Sequence, residues 1–178
     1  MTVVRTMLPE EFGAVRELTI SAFDDDASLG VLLDALRSSW CWEDGLSFVA
    51  ELDGQLAGQV LYTHAILDAD PRLVDVLLLS PIGVRPDLQR SGIGRALITQ
   101  SMEVLERRAE PMVFLEGHPS YYPQFGFEPA GALGFRRPST RIPPAAFMVR
   151  RFARCEPWMT GTLVYPDAFW RTDSVGLR

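Results

Sequence analysis

The chain has 178 residues, 47% of them apolar and 22% charged, which suits one soluble globular domain and excludes collagen-like, coiled-coil and largely disordered chains. Seventeen basic against 23 acidic residues give a net charge of −6, and every basic residue is Arg. Without Lys, Schiff-base chemistry and the lysine-bearing phosphate loop are closed to it, and the acidic balance makes duplex nucleic acid a poor partner.

The charge is uneven: residues 1–60 carry a balance of −8 and residues 61–178 a balance of +2. Cys41 and Cys155 are too few for a disulfide framework or a metal cluster, so two reduced thiols and no metal are expected. The N-terminus lacks the apolar core of a secretory signal, and no stretch approaches the ~20 apolar residues of a membrane span. A cytoplasmic protein is the expectation.

In chain order, Val3 and Val4 suit a short strand, and Pro9-Glu10-Glu11 has the proline and early acids of a helix start. Phe12, Val15, Leu18 and Phe23 fall near helical spacing and predict a first helix, broken at Asp24-Asp25-Asp26. Leu29, Leu32, Leu33 and Leu36 predict a second, with Ser28 as its cap. Leu46–Leu52 and Leu56–Leu67 read as strands joined by an Asp53-Gly54 hairpin turn. Arg72–Val84 contains Val76-Leu77-Leu78-Leu79, as expected of a central strand covered on both faces.

Gly92–Ala109 is the clearest helix, with Ile93, Leu97, Ile98, Met102 and Leu105 on one face. Met112–Leu115 predicts another buried strand, Pro119–Gly126 a short helix stopped by glycine, and Ala145–Phe152 a last strand. Arg136–Pro144 reads as a loop. The strand-helix-strand unit over 74–115 implies a right-handed parallel crossover in a mixed sheet.

The informative segment runs from Ser80 to Ile98 and places Gln89-Arg90-Ser91-Gly92-Ile93-Gly94 between a buried strand and a long helix. Backbone N–H groups at such a helix mouth point outward at its positive end, and glycines let an anion approach them closely, so the turn suits a phosphate. A dinucleotide fingerprint is excluded, because Leu97 stands where its third glycine would be. Arg90, inside the turn, and Arg85, before it, are candidate phosphate contacts. A second motif follows the next strand: Glu116-Gly117-His118-Pro119-Ser120-Tyr121-Tyr122-Pro123-Gln124-Phe125-Gly126-Phe127.

Together the two segments resemble the GCN5-related N-acetyltransferases (GNAT), most of all those of the YhbS type. The likeness runs over about residues 3–152, within one domain spanning 1–178 whose C-terminal extension packs on it. It implies the GNAT α/β fold: a mixed, mostly antiparallel sheet of six or seven strands with a splayed parallel central pair, flanked by about four helices. It also implies acetyl-CoA as cosubstrate, with the diphosphate on the amides of Gln89, Arg90, Ser91, Gly92, Ile93 and Gly94. The pantetheine arm would extend the sheet beside Ile82, Gly83 and Val84, much as a peptide augments a sheet edge.

Tyr122 matches the family's thiol-protonating acid, and a phenol of pKa ~10 keeps its proton at neutral pH. Tyr121, about 100° away on a helix, would not face the same sulfur. The base that takes the ammonium proton is Glu116, His118 or water, with Glu116 favoured; His64 reads as a structural histidine. The acceptor is expected to be an amine on a small molecule or a peptide, favoured as a cation by the acidic first helices. Trp158, Tyr165, Phe169 and Trp170 read as core or as a cover of the acceptor cleft. Nucleic acid and membrane are not expected as partners, and a homodimer is left open. The rival readings are a non-catalytic acyl-CoA-binding module and a transferase of longer acyl chains.

Overall fold

The computed structural model describes Met1 to Gly176, so Leu177 and Arg178, the end of the expected domain, lie outside the described residues. Contacts group the chain into two units: Met1–Thr63 with Ser80–Arg107, and His64–Leu79 with Arg108 onward.

In the first unit, β1 (Thr2–Thr6) pairs antiparallel with β2 (Ser47–Leu52), and β2 with the first half of β3 (Gln55–Ala69). The β2–β3 hairpin turns at Asp53 and Gly54, both at positive φ, as the Asp-Gly signal predicts. Between β1 and β2 lie α1 (Phe12–Ala22) and α2 (Ala27–Arg37). The α2 cap is Asp26, whose carboxylate accepts from Ser28 N at 2.9 Å, so the expected cap was two residues too late. The last residues of β4 (Leu73–Val84) lead into α3 (Ile93–Leu105), which packs on β1 and β2. Leu97, Ile98 and Leu105 are fully buried, as the 3.6-residue spacing requires. Ser101 anchors the helix, its hydroxyl 2.7 Å from both Leu97 O and the buried Tyr62 hydroxyl.

In the second unit, β4 pairs in parallel with β5 (Met112–Glu116) at Leu77–Val113 and Leu78–Phe114. Both strands run on past these positions. β5 pairs antiparallel with β8 (Phe147–Arg151), placing Glu116 opposite Phe147, and β8 pairs with β6 (Glu128–Pro129). β9 (Gly161–Val164) pairs with the second half of β3 and with β7 (Phe135–Arg136), and α4 (Asp167–Arg171) follows.

Among the described residues the result is an open, mixed α/β sheet with a parallel β4–β5 pair and four helices, and the sheet has nine strands rather than six or seven, because the two-residue β6 and β7 and the C-terminal β9 join it. The expected helix at 119–126 is a single 3-10 turn, Tyr122–Phe125, closed by Gly126 at φ +81°.

Candidate functional site

From β4 the chain passes through a 3-10 turn at Pro86–Leu88, then Gln89, Arg90, Ser91 and Gly92, before α3 begins. Arg90 (φ +62°) and Gly92 (φ +94°) adopt the left-handed conformation, which brings the chain sharply onto the helix axis. The first helical bond runs from Ala96 N to Gly92 O at 3.0 Å. The N–H groups of Ile93, Gly94 and Arg95 therefore lie ahead of the helix's own ladder. Nothing stands within 4 Å of where a Cβ on Gly92 would be, so a side chain at this helix mouth would project into open space.

The side chains of the turn divide into supports and one available cation. Gln89 Nε2 donates to Ala22 O and Val84 O, both at 3.3 Å, and holds the turn against the end of α1 and of β4. Ser91 Oγ donates to Leu88 O. Arg85 is engaged by Asp87 at 2.7 and 2.9 Å, whereas the exposed Arg90 makes no ion pair or hydrogen bond among the described residues. Of the two candidate phosphate arginines, Arg90 is the one left free. Ile82 and Val84 are half-buried and Gly83 is buried at the end of β4.

The second motif builds a different environment. Tyr122 retains 8% exposure, and burial, helped by the neighbouring Tyr121, pushes its phenol up to about 12. Its ring lies against Gly117, where a Cβ would fall 2.1 Å from Tyr122 Cε2. Tyr121 and Phe127 meet it edge-on at 5.1 and 5.9 Å. The hydroxyl makes no hydrogen bond among the described residues and is not sealed from solvent. A purely structural tyrosine this deeply buried usually bonds its hydroxyl. Tyr121 is exposed and packs edge-on to Phe125 at 5.3 Å.

Glu116, at the end of β5, accepts from Tyr165 Oη at 2.9 Å and from Gly176 N at 3.0 Å. Burial raises its carboxyl pKa above the ordinary value, opposed by those two hydrogen bonds and by Arg141. Nothing in the local sequence marks Tyr165 as its partner, since 49 residues separate them.

His118 is exposed and pairs with Ser120 Oγ at 2.9 Å in its own turn. His64 lies 3.7 Å from Glu110, which Arg108 clamps at 2.9 and 3.0 Å, in keeping with a structural role. Phe169 is core, Trp170 is exposed, and Trp158 lies under Arg72 at 4.8 Å. Cys41 and Cys155 are free thiols, and no helix of the described residues is long and apolar enough to cross a membrane.

Much of the acidity of residues 1–60 is engaged locally. Arg5 binds Glu11 and Glu51, Arg16 binds Glu17 and Asp34, and Asp26 caps α2. Asp24 and Asp25 form a left-handed turn, at φ 54° and 60°.

The sequence matches the acetyltransferase (GNAT) domain over residues 3–130. It is 31% identical over 125 residues to the uncharacterized N-acetyltransferase YjhQ of Escherichia coli K12, covering 70% of this chain and 68% of that protein. It is 28% identical over 176 residues to the uncharacterized N-acetyltransferase YhbS of the same strain, covering 95% and 99%. The crystal structure of Escherichia coli YhbS with CoA superposes with a TM-score of 0.79 at 26% identity, covering 96% of this chain and 92% of that one. A GNAT acetyltransferase of Brucella melitensis with acetyl-CoA gives 0.75 at 27% identity, covering 95% and 98%. The open turn before α3 and the motif after β5 thus sit in a sequence and a fold of one kind, and this chain belongs to the GNAT family of acetyltransferases.

Proposed function

We propose that this chain transfers the acetyl group of acetyl-CoA directly to a primary amine on a small molecule or a peptide. The observation that carries the reading is the Tyr122 hydroxyl, held by a buried ring yet without a hydrogen-bond partner among the described residues. The free amides of Ile93, Gly94 and Arg95, the unengaged Arg90 and the open space before Gly92 fit a diphosphate, and the two named neighbours bind CoA and acetyl-CoA.

When bound, acetyl-CoA supplies an activated acyl group and a thiolate leaving group. The amides from Arg90 to Gly94 hold its diphosphate, the Gln89 N–H being engaged on Pro86 O at 3.4 Å, and those near Ile82, Gly83 and Val84 orient the pantetheine arm and polarise the thioester carbonyl. Glu116 takes the ammonium proton, directly or through water, and frees the amine lone pair.

Tyr122 donates a hydrogen bond to the departing thiolate. Burial pushes the phenol up to about 12, above the ~8.5 of a free thiol, which favours a shared hydrogen bond over complete proton transfer. The hydroxyl therefore stabilises the thiolate while largely keeping its own proton.

Mixing the protein with acetyl-CoA and a panel of primary amines, and following thiol release, tests the reading. Release dependent on at least one amine is expected. Acetyl-CoA binding with no release from any amine would mark a binding module instead.

Tyr165→Phe probes the base. Its hydroxyl favours the Glu116 carboxylate, so its removal should move that carboxyl further up. The acidic limb of the kcat profile, measured at saturating acceptor, is expected to shift to higher pH. An unmoved limb would remove Glu116 from the proton path.

A further inference from the structure

Phe135 and Phe147 both lie against Phe114, edge-on at 5.1 Å and stacked at 5.6 Å, and they wall a cavity of about 400 Å³. Its charged and hydroxyl lining comes from Arg136, Arg137, Ser139 and Thr140, with no Asp or Glu. Arg136 donates from Nε to Thr162 Oγ1 at 2.8 Å, which fixes the guanidinium and leaves both terminal nitrogens without a partner among the described residues. Arg137, half-buried, lines the same cavity and makes no hydrogen bond or ion pair among the described residues. A guanidinium N–H that no protein acceptor holds is available to an oxyanion through a charge-assisted bond.

The cavity also has an address. Phe147 stands directly opposite Glu116 in the β5–β8 register, and Gly117 N donates to Ala146 O at 3.0 Å. Phe114, touched by both aromatic walls, lies two residues before Glu116 and so on the same face of β5. The Phe147 wall of the pocket therefore lies on the sheet face that carries Glu116.

We infer that this cavity receives an anionic group of the acceptor, so that the substrates are amines carrying a carboxylate or phosphate on an apolar body. Two guanidinium forks unopposed by carboxylate select the oxyanion, and the aromatic and proline walls select the apolar part. The acceptor role rests on the acetyl-transfer reading, whereas the anion site rests on the cavity alone.

Calorimetric titration of the intact protein with 3-phenylpropionate, phenyl phosphate and the neutral 3-phenylpropionamide tests the site. At least tenfold tighter binding of one anion over the amide is expected, and which anion wins identifies the group. Arg137→Met, which keeps the stem and removes the charge, should abolish most of that preference. Equal binding of all three probes by the wild-type protein, or a preference that survives Arg137→Met, would overturn the site.

Thiol release with the dipeptide Gly-Phe against Gly-Phe amide, and with phosphoethanolamine against ethanolamine, reads the acceptor role. A kcat/KM at least tenfold higher for one anionic member over its neutral counterpart, reduced in Arg137→Met, is expected. Equal rates within both pairs would overturn that role. Anion-selective binding with no thiol release from any amine would place the failure in the acetyl-transfer reading and remove the acceptor role with it.

Discussion

Tyr122→Phe is expected to leave acetyl-CoA affinity within about twofold while lowering kcat by about a hundredfold, at the lower end of what one hydrogen-bond donor to a developing negative charge contributes. The phenylalanine ring fills the same space against Gly117, Tyr121 and Phe127, and the lost hydroxyl has no partner among the described residues, so stability should change little. Thermal unfolding checks that the variant is intact, and steady-state kinetics beside calorimetric titration separate turnover from binding. Unchanged kcat would remove Tyr122 from the mechanism. Gly117→Ala offers a second route to the same residue. Its Cβ would fall 2.1 Å from Tyr122 Cε2, so the ring must shift, and kcat should drop with the hydroxyl still present. Misplacing a reacting group by about 1 Å can by itself cost about a hundredfold.

Gly92→Glu should weaken acetyl-CoA binding by at least a hundredfold. Two effects act together. The carboxylate enters the open space at the helix mouth, where it repels a diphosphate and competes for the positive end of α3. A side chain at φ +94° also strains the backbone, at a cost of about 1 kcal/mol or more. Gly92→Ala separates the two, since it carries the strain without the charge and should weaken binding far less. Wild-type affinity in Gly92→Glu, read by calorimetry, would contradict the phosphate site.

Local patterns made much of this arrangement legible. The 3.6-residue apolar repeat from Ile93 to Leu105, the Asp53-Gly54 turn and the Val76–Leu79 run each correspond to the element they predict, because short-range spacing sets which face is buried. The glycine turn before α3 was equally plain, since left-handed residues and free amides follow from the residues themselves. Tertiary pairing was not legible. β9 finds its place on the second half of a fifteen-residue β3 whose first half β2 occupies, and nothing within Gly161–Val164 specifies that partner. For the same reason Tyr165 and Gly176 on Glu116 could not be foreseen, nor that Arg137, in a segment read as a loop, helps line a cavity. The expected pull of the acidic N-terminal segment on cationic acceptors is weakened by Arg5 and Arg16, each of which engages two carboxylates.

The grip of backbone amides on the diphosphate is tested most directly by amide proton and nitrogen shifts of the labelled protein during titration with acetyl-CoA. Large, saturable changes at Arg90, Ser91, Gly92, Ile93 and Gly94 are predicted, with pantetheine alone leaving those amides nearly unmoved. Saturation of binding with those five resonances unperturbed would contradict the account.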